Sequence, residues 1–179
     1  VTDSVKVICT HEVKTPFTFG WKDPFILMPE DASNWDADRL ETVFLHELGH
    51  IHQKDFRTNL LIECLKALYW WHPLFWLACK EFRLVLEQNC DELVLKTGIS
   101  EVNYANHLVE IARTVQRSRF QTAGLNIMPA HNSQLKKRIM NILHRSKNCS
   151  VSQQRLSRMA LVITVPLLLV NFNHGDIRQ

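Results

Sequence analysis

The stretch "LETVFLHELGHIHQKDF" places His46 and His50 four residues apart, with Glu47 beside the first of them. On a helix, positions i and i+4 share a face about one turn apart. Both imidazoles can therefore reach one Zn2+ at about 2.0–2.1 Å. Glu47 is angled toward the same cleft, where a carboxylate can take the proton of a metal-bound water. The plain alternative is a pair of surface histidines on an ordinary helix, and a chain with nine histidines meets the pattern more easily by chance. A catalytic zinc needs a third protein ligand and an open fourth position. "RLVLEQNCDELVL" offers Glu87 and Asp91, again i and i+4. Glu87 can ligate the metal, and Asp91 can accept the N–H of a ligand histidine and so fix its tautomer. Two acids on an otherwise apolar helix face are costly unless paired or coordinating. The competing reading is a solvated acidic edge continued by Glu92.

The elements that must position these groups read as mainly α with a small N-terminal sheet, an α+β arrangement. "SVKVICT" and "PFILMP" read as short strands within residues 1–30, with "KTPFTFGWKD" as the turn between them. Helices follow over residues 34–147. Asn34 or Asp36 caps the first, which carries HELGH well inside about five turns. A second covers roughly Thr58 to Trp71, and His72-Pro73 interrupts it because proline cannot continue the hydrogen-bond ladder. A third runs from Pro73 to Lys96 and stops at Gly98. A fourth starts at Ser100 and runs to about Val115, and a fifth covers Ser133 to Arg145. "LLIECLKALYWWHPLFWLA" reads as two core helices meeting at a turn, although Tyr69, Trp70, Trp71 and Trp76 suit a membrane-interface belt equally well.

Composition narrows the class. Apolar residues make up 46% and charged residues 22% of 179, which excludes a disordered or polytopic membrane chain. A net charge of +3 gives no electrostatic case for nucleic acid, and no direct binding to it is expected. No glycine-rich phosphate loop is present. Cys9, Cys64, Cys79, Cys90 and Cys149 are scattered and lack a CxxC pair, so a reducing compartment and mostly buried thiols are expected. No basic and apolar leader follows Val1, and the chain reads as a piece of something longer.

A last segment, "MALVITVPLLLV", is too short for a standard span of about 20 residues, but with Leu156 and Phe172 included it approaches one. Arg145, Lys147, Arg155 and Arg158 precede the run, and Arg178 is the lone positive charge after it. The positive-inside tendency then puts the HELGH domain on the cytoplasmic side of the membrane. A buried core helix after a basic surface is the competing reading. The expected organisation is a metallopeptidase domain over 1–150 and a basic juxtamembrane segment with a transmembrane helix over 151–179.

"HELGHIHQKDF", "WWHPLFW" and "EFRLVLEQNCDELVL", in that order, resemble the protease domain of the BlaR/MecR-type integral-membrane zinc peptidases, bacterial antibiotic-sensor transducers. "TPFTFGWKDPFILMP" resembles the strand segment before their metal helix, and "SQLKKRIMNIL" their later basic helix. The resemblance implies a gluzincin, in which a downstream glutamate completes the zinc site. It implies His46, His50 and Glu87 as ligands, Glu47 as general base and Asp91 as partner of a ligand histidine. It further implies a bacterial inner-membrane protease in signal transduction that cleaves a cytoplasmic repressor, another regulator, or itself. His72 departs from the asparagine often found before the proline. An edge strand that holds an extended substrate is expected within Thr15–Pro29. The alternative function is a non-catalytic module at the membrane, whose helices zinc organises without turnover.

Other groups read as structural. His52 projects from a different helix face and should be a surface residue. Asp55 and Asn59 read as a helix-end pair, and His107, His131 and His144 as structural. Arg138 reads as part of a solvated basic helix rather than a binder of substrate carboxylate or oxyanion. Cys90, mid-helix among bulky residues without an activating base, is not expected to be a nucleophile.

Overall fold

Valine, isoleucine and phenylalanine runs build the N-terminal strands, and capped periodic segments build the helices. The computed structural model describes residues 5–122 and 130–144, with side chains over 5–113 and 133–144. The strands are β1 (Lys6–Thr10), β2 (Phe17–Phe19) and β3 (Phe25–Pro29), in the order β1-β3-β2. β1 runs parallel to β3, with Lys6 opposite Phe25. β2 runs antiparallel to β3, with Phe17 opposite Leu27. The segment expected as a plain turn therefore contains a three-residue edge strand, too short to show alternation in sequence. Gly20, at φ 112°, turns the chain from β2 toward β3; a Cβ there would lie 2.8 Å from the Asp23 carbonyl oxygen.

Among the described residues five helices follow: α1 (Ala37–Gln53), α2 (Asp55–Leu68), α3 (Pro73–Lys96), α4 (Glu101–Thr122) and α5 (Ala130–His144). Asp36 caps α1 by accepting a hydrogen bond from the Arg39 N–H at 2.7 Å. α1 ends and α2 begins around Lys54, whose φ of 59° is left-handed although it is not glycine. α2 thus starts three residues before the expected Thr58. His72 caps α3, its Nδ1 accepting from the Phe75 N–H at 3.2 Å, with Pro73 in the first turn as its ring requires.

Among the described residues three apolar clusters hold these elements. Ile26 and Met28 of β3 meet Val43 of α1, with Leu40 and Phe44 packed alongside. Val94 and Leu95 of α3 meet Tyr104 and Ala105 of α4 and Ile142 of α5. Ile62 of α2 meets Phe75 and Cys79 of α3. Cys79 and Cys90 are buried while Cys9 and Cys64 are exposed, so only half of the described thiols follow the expectation of burial. α1 and α3 come close at Gly49, where a Cβ would stand 3.3–3.5 Å from Cys90 atoms. Among the described residues no helix is long and apolar enough to cross a membrane. The apolar run within 156–172 lies outside the described residues.

Candidate metal centre

α1 and α3 carry the groups singled out in the sequence, and their close crossing brings those groups together. His46 Nε2 lies 3.4 Å from Glu87 Oε2, and His50 Nε2 lies 3.8 Å from Glu87 Oε1. One donor atom from each of the three residues fits within 4.8 Å of the others. Donors at about 2.0–2.2 Å from a tetrahedral zinc stand roughly 3.3–3.6 Å apart. Two imidazoles and a carboxylate at this separation therefore fit zinc in both donor type and spacing.

The far side of each ring shows which nitrogen is free. Tyr104 donates its hydroxyl proton to Asp91 Oδ1 at 2.5 Å, so its oxygen can only accept from His46 Nδ1, 3.0 Å away. Asp55 Oδ2 lies 2.7 Å from His50 Nδ1 and, as a carboxylate, accepts its proton. Both rings are thus held with Nδ1 protonated and the Nε2 lone pair turned toward Glu87. Asp91 itself is 3.5 Å from His46 Nδ1, and the Tyr104 hydroxyl forms the shorter link.

Arg138 of α5 closes the arrangement. Its Nε and Nη2 donate to Asp91 at 2.9 and 2.6 Å, and its Nη1 lies 2.7 Å from Glu87 Oε2. The expectation of a solvated Arg138 is therefore overturned: its side chain is largely buried, and two carboxylates compensate the charge. Burial works against ionisation of Glu87, but Arg138 and then the two imidazoles outweigh it and hold the carboxyl far below its usual range. Burial likewise disfavours protonated His50, yet the Asp55 hydrogen bond, then Glu87 and Glu47, raise its pKa above the ordinary value.

Glu47 is buried on the same wall of a cleft of about 480 Å3 that also receives His46, His50 and Glu87. Thr18 of β2 donates its hydroxyl to Glu47 Oε2 at 2.8 Å. β2 is a sheet edge, and Phe17 and Thr18 line the cleft, within the segment expected to hold an extended chain. His107 also lines the cleft and contacts Thr42 Oγ1 at 3.3 Å; His52 is exposed, as expected, and His144 is exposed. The side chain of His131 lies outside the described ones. His50, Asp55 and Cys90 form another close donor group. There His50 Nδ1 is already committed to Asp55, and burial followed by the Asp55 charge pushes the Cys90 thiol far up, so it stays protonated.

Asp55, Tyr104, Arg138 and Thr18 were missed as site residues. The Asp55 carboxylate, expected to tie a helix end, is 2% exposed and supports a ring on the neighbouring helix. An acid five residues past His50 was the available signal. Tyr104, Thr18 and Arg138 join from elements whose approach no local spacing encodes.

Residues 1–142 match the family model described as BlaR1 peptidase M56. The chain is 32% identical over 166 residues to the regulatory protein BlaR1 of Bacillus licheniformis, covering 90% of this chain and 27% of that protein. It is 22% identical over 173 residues to the methicillin resistance mecR1 proteins of Staphylococcus aureus and Staphylococcus epidermidis, covering 92% of this chain and 29% of theirs. The chain therefore spans less than a third of the length of these relatives.

Proposed function

The chain belongs to the BlaR1 peptidase M56 family, and from that premise we propose that its cleft is the active site of a gluzincin-type zinc endopeptidase. One observation carries this reading: both imidazole Nε2 atoms and the Glu87 carboxylate converge, with Glu47 buried on the same cleft wall. His46, His50 and Glu87 hold the metal. Bound zinc supplies a water of pKa near 7 and polarises the scissile carbonyl. Asp55, and Tyr104 backed by Asp91, keep Nδ1 of each ring protonated so that Nε2 remains a donor. Arg138 keeps Glu87 ionised and aims its carboxylate. Thr18 holds Glu47 at Oε2. Glu47 takes the proton of the attacking water and delivers it to the amine nitrogen as the C–N bond breaks. The β2 edge offers main-chain groups to an extended substrate. The open cleft favours turnover over a closed structural metal site, which is the alternative.

The relatives are named as regulatory and resistance proteins. That supports a regulatory substrate: a transcriptional repressor, another regulator, or the protease chain itself. We place the peptidase unit in residues 1–150, anchored through residues 156–172 and facing the cytoplasm of a bacterial inner membrane.

The test is zinc content together with cleavage. The chain should carry about one zinc, weakened or lost in His46→Ala and Glu87→Ala. Glu47→Gln should keep the zinc and lose cleavage by about 10²–10⁴-fold. Zinc indifferent to Glu87, or full cleavage by Glu47→Gln, would remove the assignment.

A further inference from the structure

α2 and α3 form a helical hairpin whose closed end is apolar on the outside. Leu68, Trp70, Trp71, Leu74, Trp76 and Leu77 are all exposed there, Trp70 by 69% and Trp71 by 60%. This corrects the expectation of two core helices: only the inward residues of the segment, Ile62, Phe75 and Cys79, form a core. The outward set is nonetheless ordered. The Trp76 indole N–H donates to the Trp70 carbonyl at 3.0 Å, and the Trp70 and Trp71 rings meet edge to face at 6.0 Å. An ordered apolar patch facing solvent marks an interaction surface.

We propose that this hairpin end inserts into the headgroup region of an anionic lipid surface, as a membrane contact separate from residues 156–172. Three features select lipid over protein. The patch lies at the closed end of the hairpin and does not line the cleft at His46, His50 and Glu87, which suits insertion rather than the seating of a partner in a groove. It has three tryptophans, the side chain that concentrates where an apolar body meets polar headgroups. Residues 67–79 carry no formal charge and are bounded by Lys66 and Lys80. Lys66 lies over the Trp76 ring at 4.7 Å and is paired with Glu63 at 2.9 Å, so Lys80, exposed at the other boundary, is the cation placed to meet lipid phosphates. The apolar stretch has no acidic group to be desolvated, and the exposed Lys80 at its edge is complementary to anionic headgroups. Trp76 and Glu87 lie about eleven residues apart on α3, about 16 Å of helix rise. The hairpin end would therefore hold the cleft close to the membrane surface.

The full chain in vesicles tests this, using lipids with brominated acyl chains, which quench nearby tryptophan. Of the five tryptophans, only Trp21 and Trp35 lie elsewhere. In vesicles of phosphatidylcholine and phosphatidylglycerol, brominated lipid should quench about half of the emission. The variant Trp70→Phe/Trp71→Phe/Trp76→Phe should retain binding and lose that quenching. Quenching should be weaker in phosphatidylcholine alone. Three results would each overturn the proposal: vesicle-bound chain with unquenched tryptophan, equal quenching without anionic lipid, or a lipid-free dimer that Trp70→Ser/Trp71→Ser dissolves. The last would assign the surface to a second copy of the chain. None of these readouts depends on peptidase activity.

Discussion

His46 and His50 face one carboxylate, but their far sides are supported in different ways. His50 leans on Asp55, five residues along, across a single left-handed residue. His46 leans on a chain of groups from three helices: Tyr104 of α4, Asp91 of α3 and Arg138 of α5. The first support is a local hinge and forms whenever α1 and α2 meet. The second exists only when the whole helical assembly has closed. The difference separates two quantities often confounded in such sites. Damage to the His50 side should be felt in metal affinity, and damage to the His46 side first in folding.

Arg138 offers the largest effect. Arg138→Ala leaves Asp91, 1% exposed, as an uncompensated buried charge. Loss of a buried partner costs about 3–5 kcal/mol, which urea unfolding of the metal-free chain should register. Removing both charges in Asp91→Asn/Arg138→Met should recover much of that stability. A double variant as unstable as the single one would show that the ion pair is not the reason. Asp55→Ala ranks next and should act in the other quantity. Zinc affinity should fall by about 10–100-fold in a competition titration while the urea midpoint moves less than in Arg138→Ala. Equal losses in both measurements would erase the distinction between the two sides. Tyr104→Phe removes the hydroxyl that links His46 to Asp91. A loss of about 1–3 kcal/mol is expected, together with weaker zinc binding than the parent chain.

The smallest effect is a pH dependence specific to His50. Its pKa is raised in the folded, metal-free chain. A raised folded value stabilises fully below the ordinary value of 6.5 and is lost as pH rises through the folded value. The chelated chain should therefore lose some stability as pH increases above 6.5, and His50→Gln should lose less. Zinc should show the opposite sign, because binding displaces the same proton and affinity falls on acidification. Thermal midpoints with and without chelator, across pH 6 to 8.5, would separate the two.

These two supports also mark how far the sequence could be read. The groups that converge, His46, His50 and Glu87, stand out because helical spacing of four residues is visible in one dimension. α3 was located at Pro73–Lys96 from its proline and glycine boundaries. Asp55 was visible but was assigned to a helix end, because Lys54 gives no sign that a non-glycine residue will take a left-handed turn. Arg138 looked like one cation in a basic helix, since nothing near it in sequence announces that Asp91 waits 47 residues earlier. β2 escaped because three residues are too few for a pattern. The α2–α3 end was misassigned for a different reason: hydrophobicity states that a side chain avoids water, not what it packs against.

Gly49 sets how closely the helices that carry His46, His50 and Glu87 can meet. α1 and α3 approach so closely there that an added methyl group would press on Cys90 and force a shift of a few tenths of an ångström. A bulkier residue at position 49 would therefore shift α3 against α1, and with it the Glu87 carboxylate against the His46 and His50 rings.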